Sequence, residues 1–365
     1  MMPAMLTTRP SILERLPNEM LAEIIQHIPR KDLLSACTIS RLLNRLSIPF
    51  LYRTIYVSDT EYKKFKNFLD VMEKYADTKA PLSRHVHEFW LLLTHESNIP
   101  QDVCERLLVT LSGCSNIRRL NLVSHIRDES RLRTFLQTAH FPSLLNFQYI
   151  TDPIEANDLT VFLNHHPTLT KLLLTCRNTY HCPLSEIRLP CLQQFSGNCC
   201  FVKSLVCERT LQIMCIFFAM DDIPTVLERL EPMIHPDGHI LVVTGVSLDL
   251  PVAVRQVADK IPNTMYLIFR DLVEDPVLSS EDVNEIETQL KKFKDLGCLE
   301  LDTVNKSRVH SAVEDKADLA AVEKWGRACK SLHRVVLHGR HWVYEHPGWE
   351  VTDSLSPFEM LLQKL

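Results

Sequence analysis

One spacing governs much of this chain: an apolar residue, two others, an apolar residue, one other, and an apolar residue. It runs as Val86, Phe89, Leu91, then Ile117, Leu120, Leu122, then Leu144, Phe147, Tyr149, then Leu169, Leu172, Leu174. Leu192 and Phe195 continue it with Gly197 in the last slot. Leu296, Leu299, Leu301 and Leu332, Val335, Leu337 repeat it near the C-terminus. The first five copies start 31, 27, 25 and 23 residues apart. Alternate residues of a strand point one way, so the last two apolar positions of each copy face a common core. Between copies the spacing turns helical, over Asp102–Leu111, Glu129–Thr138 and Asn157–Asn164. Leu132, Phe135 and Leu136, and likewise Leu159, Phe162 and Leu163, fall on one helix face there. Units of strand, turn, helix and turn bury a continuous core by stacking on their neighbours.

The turns support this reading. Several strands are introduced by Ser-Asn, Phe-Pro-Ser, His-Pro-Thr or Leu-Pro-Cys, small polar and proline residues that suit turns. The stretch from Leu211 to Phe269 breaks the spacing, although Ile240–Val243 and Met265–Phe269 still read as strands. Two architectures therefore stay open, a stacked array and an irregular α/β domain with a parallel sheet. At the C-terminus Ser356-Pro357-Phe358-Glu359 is a capping box with proline at the first helical position. Phe358, Leu361, Leu362 and Leu365 then form a stripe that caps the last unit or binds a partner.

Composition excludes several classes of function. A net charge of -5 on 365 residues leaves no basic surplus to neutralise phosphates, so no nucleic acid is expected. The first sixteen residues lack the apolar run of a signal peptide. The most apolar stretch, Ile213–Met220, is far short of the ~20 residues that span a bilayer. No membrane partner is expected, and the expected location is cytoplasmic and/or nuclear. Only 8 glycines are present, with no G-x-G-x-x-G, Walker-type loop or G-x-S-x-G elbow. An enzyme using nucleotides or a serine elbow does not fit, and neither cofactor nor catalytic residue is expected.

The 12 cysteines include no C-x-x-C pair and read as free core thiols. Seven lie between Cys176 and Cys215, but the vicinal Cys199-Cys200 pair is poor for zinc because adjacent side chains of an extended segment point oppositely. His338, His341 and His346 beside Trp342 and Tyr344 read as exposed loop histidines, and His165-His166 as a loop entering a strand. Lys291–Asp295 and Glu314–Lys324 read as solvated helix faces.

The N-terminal stretch from Leu16 to Ile55 has a different grammar. Pro17 suits the first position of a helix, and Glu19 complements its dipole. Leu21, Ile24, Ile25 and Ile28 form one stripe that Pro29 ends. Asp32 can cap a second helix carrying Leu33, Leu34 and Cys37. Ser40 can cap a third carrying Leu42, Leu43 and Leu46, with Pro49 stopping it. Helices this short do not hold alone in water, so their faces must meet each other with surface left for a partner.

In order and spacing, Leu16-Pro17, Glu19, Leu21, Ile24, Ile28, Asp32-Leu33, Ser40-Arg41 and Leu51-Tyr52-Arg53 resemble an F-box, in a form common among fungal F-box proteins. The later spacing resembles degenerate leucine-rich repeats, with Cys200 alone at the asparagine or cysteine position. Leu43 stands where many F-boxes carry tryptophan or phenylalanine.

The resemblance implies an α/β chain with an N-terminal three-helix F-box followed by an irregular leucine-rich-repeat-like α/β solenoid. Its expected bounds are a flexible N-terminus over 1–11, the F-box over 12–57, the repeat domain over 58–345 and a tail with a capping helix over 346–365. It implies the substrate-recognition subunit of a Skp–cullin–F-box ubiquitin ligase, without catalysis of its own. A Skp-type adaptor, through it a cullin, and an unknown protein target are the implied partners. Leu16, Pro17, Met20, Leu21, Ile24, Ile28, Leu33 and Leu34 would carry or support the adaptor surface.

Strand alternation places candidate target contacts at Arg119, Asn121, Asn146, Gln148, Lys171 and Thr175. It adds Gln194, Ser196, Arg334 and His338, with Glu300 and Asp302 on the same side. Their first half is neutral to basic, which suits an acidic or phosphorylated target. The alternative is a repeat scaffold outside any ligase, with the F-box-like segment only a structural cap.

Overall fold

A computed structural model describes residues 16–352 apart from 59–61, 79–80, 94–99, 125–128, 152–155, 177–184, 209, 219–222, 246–248, 273–277 and 304–311. The chain divides into two compact units, Met1–Leu144 and Leu145–Leu365. The expected C-terminal capping helix lies outside the described residues.

The first unit opens with three short helices, α1 (Asn18–Gln26), α2 (Arg30–Ile39) and α3 (Arg41–Leu51). Both α1 and α2 pack on α3. Pro17 acts one position earlier than the sequence suggests, and Pro29, read as the end of the first helix, instead opens the second, since α1 already stops at Gln26. Pro17 and Pro29 take the N-cap places of α1 and α2, with ψ of 147° and 141°, so each proline sets the extended entry rather than the first helical residue. Asp32 consequently falls inside the first turn of α2 and complements its dipole instead of capping it.

Ser40 caps α3 as expected, accepting a hydrogen bond from the Leu43 N–H at 3.2 Å. Ser40→Ala should destabilise the first unit by about 1 kcal/mol, read as an earlier urea midpoint at unchanged slope. Pro49 does not stop α3. It sits in the last turn, where the Tyr52 N–H still reaches the Ile48 carbonyl at 3.1 Å.

Strands β1 (Thr54–Ser58), β2 (Glu88–Leu93) and β3 (Arg119–Ser124) follow, all parallel, with β1 at the edge of the sheet order. Helices α4 (Tyr62–Lys74), α5 (Gln101–Ser112) and α6 (Glu129–Thr138) lie between or after them. α5 packs on both α4 and α6. Arg106 of α5 clamps α4 with a forked contact to both Glu73 carboxylate oxygens at 2.6 Å and a bond to Asp70 at 2.7 Å.

The second unit continues the alternation. It runs β4 (Asn146–Thr151), α7 (Ala156–Asn164), β5 (Lys171–Cys176), β6 (Ile187–Arg188), β7 (Gln194–Asn198), α8 (Cys199–Val202), β8 (Leu205–Val206) and β9 (Leu211–Phe218). Then come α9 (Ile223–Leu230), β10 (Ile234–Gly245), α10 (Leu250–Lys260), β11 (Thr264–Leu272), α11 (Ser280–Leu290), β12 (Cys298–Thr303), α12 (Ala312–Ala328) and β13 (Arg334–Leu337). β4, β5, β7 and β9 to β13 pair in parallel in that order. β6 pairs separately with β8, beside Asn164, whose side-chain amide bonds Glu186 and Arg188 main chain at 3.1 and 2.8 Å. From α9 to α12 each helix packs on the next.

The repeating apolar positions meet in register. Phe89 pairs with Leu120 and Leu91 with Leu122. Phe147, Leu172 and Phe195 form one row, as do Tyr149, Leu174 and Gly197. Leu299 pairs with Val335 and Leu301 with Leu337. The leading residue of every copy, from Val86 to Leu332, is buried. A backbone device recurs as well: the carbonyl just before a strand accepts two successive N–H groups at the start of the next. Arg53, His87, Leu145, Thr170 and Gly297 all do this. Trp325 of α12 is fully buried and its indole N–H donates to the Val283 carbonyl of α11 at 3.1 Å.

Where a histidine-rich loop and then a tail are expected, the chain forms antiparallel strands β14 (Arg340–Glu345) and β15 (Gly348–Thr352). His338 and Gly339 join β13 to β14 with φ of 50° and 75°, the paired left-handed geometry of a tight hairpin turn. That turn aims the His338 ring at Asp318 of α12, 3.0 and 3.1 Å from its two oxygens. His341 lies in β14, where Nδ1 is 3.1 Å from the Arg334 guanidinium. His166 follows α7, buried, with Nδ1 2.6 Å from the Phe162 carbonyl.

Candidate functional site

The strongest candidate is the pair of helices that opens the first unit. Each has to turn an apolar stripe toward α3. Leu21 and Ile25 do so from α1, and Leu33 and Ala36 from α2, all nearly inaccessible to solvent. Met20 and Ile24, four residues apart, share another face of α1 and remain 53% and 49% exposed. On α2, Leu34 is 58% exposed and Ile39 69%. Scattered apolar side chains on a surface need no explanation, but four large ones within twenty residues do. Elsewhere among the described residues exposed chains of this kind include Val109, Val161 and Val206.

The eight residues proposed for adaptor contact therefore divide. Pro17, Met20, Ile24 and Leu34 face solvent, Leu16 and Ile28 are half-buried, and Leu21 and Leu33 are interior supports. Ile39 is an exposed residue that stripe counting misses. It precedes the Ser40 cap, the place from which an apolar residue usually packs against the fourth residue of the new helix. That fourth residue is Asn44, which bonds the Cys37 carbonyl at 3.1 Å. With a polar residue there, Ile39 has no staple partner and stays outside.

Residues 13–58 match the F-box-like family. The chain carries an F-box-like domain. The chain is also similar to the F-box protein DAS1 of Saccharomyces cerevisiae, with 27% identity over 154 residues. That match covers 40% of this chain but 22% of the yeast protein. The F-box-like match takes in all three helices and β1 and coincides with the exposed apolar residues.

The residues proposed for target contact differ in exposure within each unit. In the first unit Arg119 and Glu88 are register partners, with Arg119 Nη1 3.7 Å from Glu88 Oε2. Asn121 is buried beside Trp90 of β2. In the second unit Asn146, Lys171 and Gln194 form one row across β4, β5 and β7, with Lys171 exposed. Gln148 and Thr175 are half-buried on the same three-strand segment. Ser196, Glu300 and Arg334 are buried, and His338 is turned to Asp318. The side chain of Asp302 lies outside the described residues.

Four of the thiols offer little chemistry. Burial pushes the Cys114 and Cys298 thiols up to about 12, and those of Cys207 and Cys215 to about 11. These four stay protonated at neutral pH and cannot serve as thiolate nucleophiles or easy metal ligands. Among the described residues no group of three or more His, Cys, Asp or Glu side chains could hold a metal. Cys182 and the Cys176 side chain fall outside those residues.

Proposed function

We propose that this chain is the substrate-recognition subunit of a Skp–cullin–F-box ubiquitin ligase. The F-box-like domain would bind a Skp-type adaptor through the exposed apolar residues of α1 and α2, with a cullin held through that adaptor. We read the strand-and-helix remainder as a degenerate leucine-rich-repeat solenoid that holds a protein target. The in-register apolar rows and the carbonyl that recurs before five of the strands support that reading. The row of Asn146, Lys171 and Gln194 is our choice of target surface, suited by Lys171 to an acidic or phosphorylated segment.

The chain would contribute no bond-making step. It would raise the effective concentration of a target lysine near the charged ubiquitin-conjugating enzyme. Such a receptor would work in the cytoplasm, the nucleus or both. The observation that carries the proposal is the F-box-like match on helices that leave Met20, Ile24, Leu34 and Ile39 exposed.

Affinity purification of the tagged full chain, with quantitative identification of what comes with it, tests the reading. Adaptor and cullin should both be enriched over a Met20→Asp, Ile24→Asp control. Equal recovery of both from the two chains would favour a cap that plays no part in a ligase.

A further inference from the structure

The first unit has a second feature, on the side formed by β1. A groove of about 830 Å³ runs along this strand, with α2 and the end of α3 on one side and α4 on the other. Leu51, Val57, Phe65 and Phe68 give it an apolar floor, and Arg30, Lys31 and Lys64 stand at its rim. No carboxylate is among its described lining residues. Its volume lies in the range of built ligand sites, ~300–1,000 Å³.

The backbone in the groove is what gives it a specific use. β1 ends the sheet order and pairs with β2 alone among the described strands. The Arg53 carbonyl accepts the Glu88 N–H at 3.0 Å, so alternate residues from Arg53 onward bond β2. Tyr56, between two of these, turns its N–H and C=O toward the open edge, and the residue is 54% exposed. An open strand edge invites another strand. Ile55–Ser58 line the groove, and four residues of strand span about 13 Å at ~3.3 Å each.

We propose that this groove takes an extended acidic peptide segment of a partner protein, added as a strand to the free edge of β1. Its main chain bonds Tyr56, one apolar side chain seats on Phe65 and Phe68, and flanking carboxylates meet Arg30, Lys31 and Lys64. Main-chain bonds give such a site affinity, while the pockets for alternate side chains give it selectivity. The groove shares Leu34 with the proposed adaptor surface but includes neither Met20 nor Ile24, so substitutions at those two leave its lining intact.

The probe is a fluorescein-labelled heptapeptide alternating glutamate and valine, titrated into the full chain and followed by anisotropy. It should bind at least ten times more tightly than its lysine–valine counterpart. N-methylation of alternate peptide amides should weaken it by ten-fold or more, as should Lys31→Glu combined with Lys64→Glu. Met20→Asp with Ile24→Asp should leave it unchanged. Equal binding of the lysine peptide, indifference to N-methylation, or full affinity in the charge-reversed chain would each overturn the proposal. So would displacement by anionic phospholipid vesicles with no preference for extended peptide, which would assign the rim to a membrane surface.

Discussion

A Gly197→Leu chain should fail to hold its second unit together, although leucine is what the repeating pattern asks for at that slot. Gly197 pairs with Leu174 across β5 and β7, and a Cβ there would lie 2.2 Å from the Leu174 carbonyl oxygen. It would also stand 3.1 Å from the Phe195 ring. The obstacle is backbone on a paired strand, which cannot step aside as a flexible side chain does. Overpacking costs about 1–3 kcal/mol where neighbours can relax, and a main-chain clash belongs at or above the upper end. Gly197→Ala should lower the melting temperature by roughly 5–10 °C, and Gly197→Leu should abolish the cooperative transition. Gly348, with open space where its Cβ would be, is the control. Gly348→Ala should melt within about 2 °C of the parent. A Gly197→Leu chain as stable as the parent would mean that β5 and β7 do not approach as described.

Leu21→Asp and Ile24→Asp, three residues apart on one helix, should behave oppositely. Leu21 is 2% exposed against α3, whereas Ile24 is 49% exposed. Removing a buried leucine side chain costs about 2–5 kcal/mol, and an unpaired carboxylate in its place costs more. Three helices of 9, 10 and 11 residues have little stability to lose. Leu21→Asp should therefore remove amide hydrogen-exchange protection throughout α1, α2 and α3. Ile24→Asp should keep that protection, with stability within about 0.5 kcal/mol of the parent. Loss of protection in both chains would mean that Ile24 is a core residue and the docking face is misplaced.

Much of the architecture was legible because burial and periodicity are local signals. Glu129–Thr138 is helical over the expected bounds, and Asn157–Asn164 lacks one residue of the observed helix. Leading residues such as Val86, Ile117 and Leu144 are buried as the spacing requires. What escaped depends on contacts remote in the chain. Nothing local shows that Asp318 waits for His338, so histidines near the C-terminus read as loop rather than as a hairpin turn and strand. Nor does local order show that Ser196 and Arg334, on the face alternate to the core leucines, are themselves covered.

For the proposed docking face, stripe counting located the helices that expose apolar side chains but could not separate Leu21 from Ile24. Both belong to one broad apolar arc, and the position of α3 decides which part of it is covered. The β1 groove left no motif in the sequence. It arises where Arg30, Lys31, Lys64, Phe65 and an unpaired strand edge come together, and their chain positions do not announce the meeting.

The central claim is that the exposed apolar residues of α1 and α2 grip a Skp-type adaptor. Titration calorimetry of purified full chain with a purified Skp-type adaptor tests it most directly. A one-to-one complex is predicted, weakened at least a hundred-fold by Met20→Asp with Ile24→Asp in a chain whose melting temperature is unchanged. Absence of binding by the parent chain, or undiminished affinity in that variant, would contradict it.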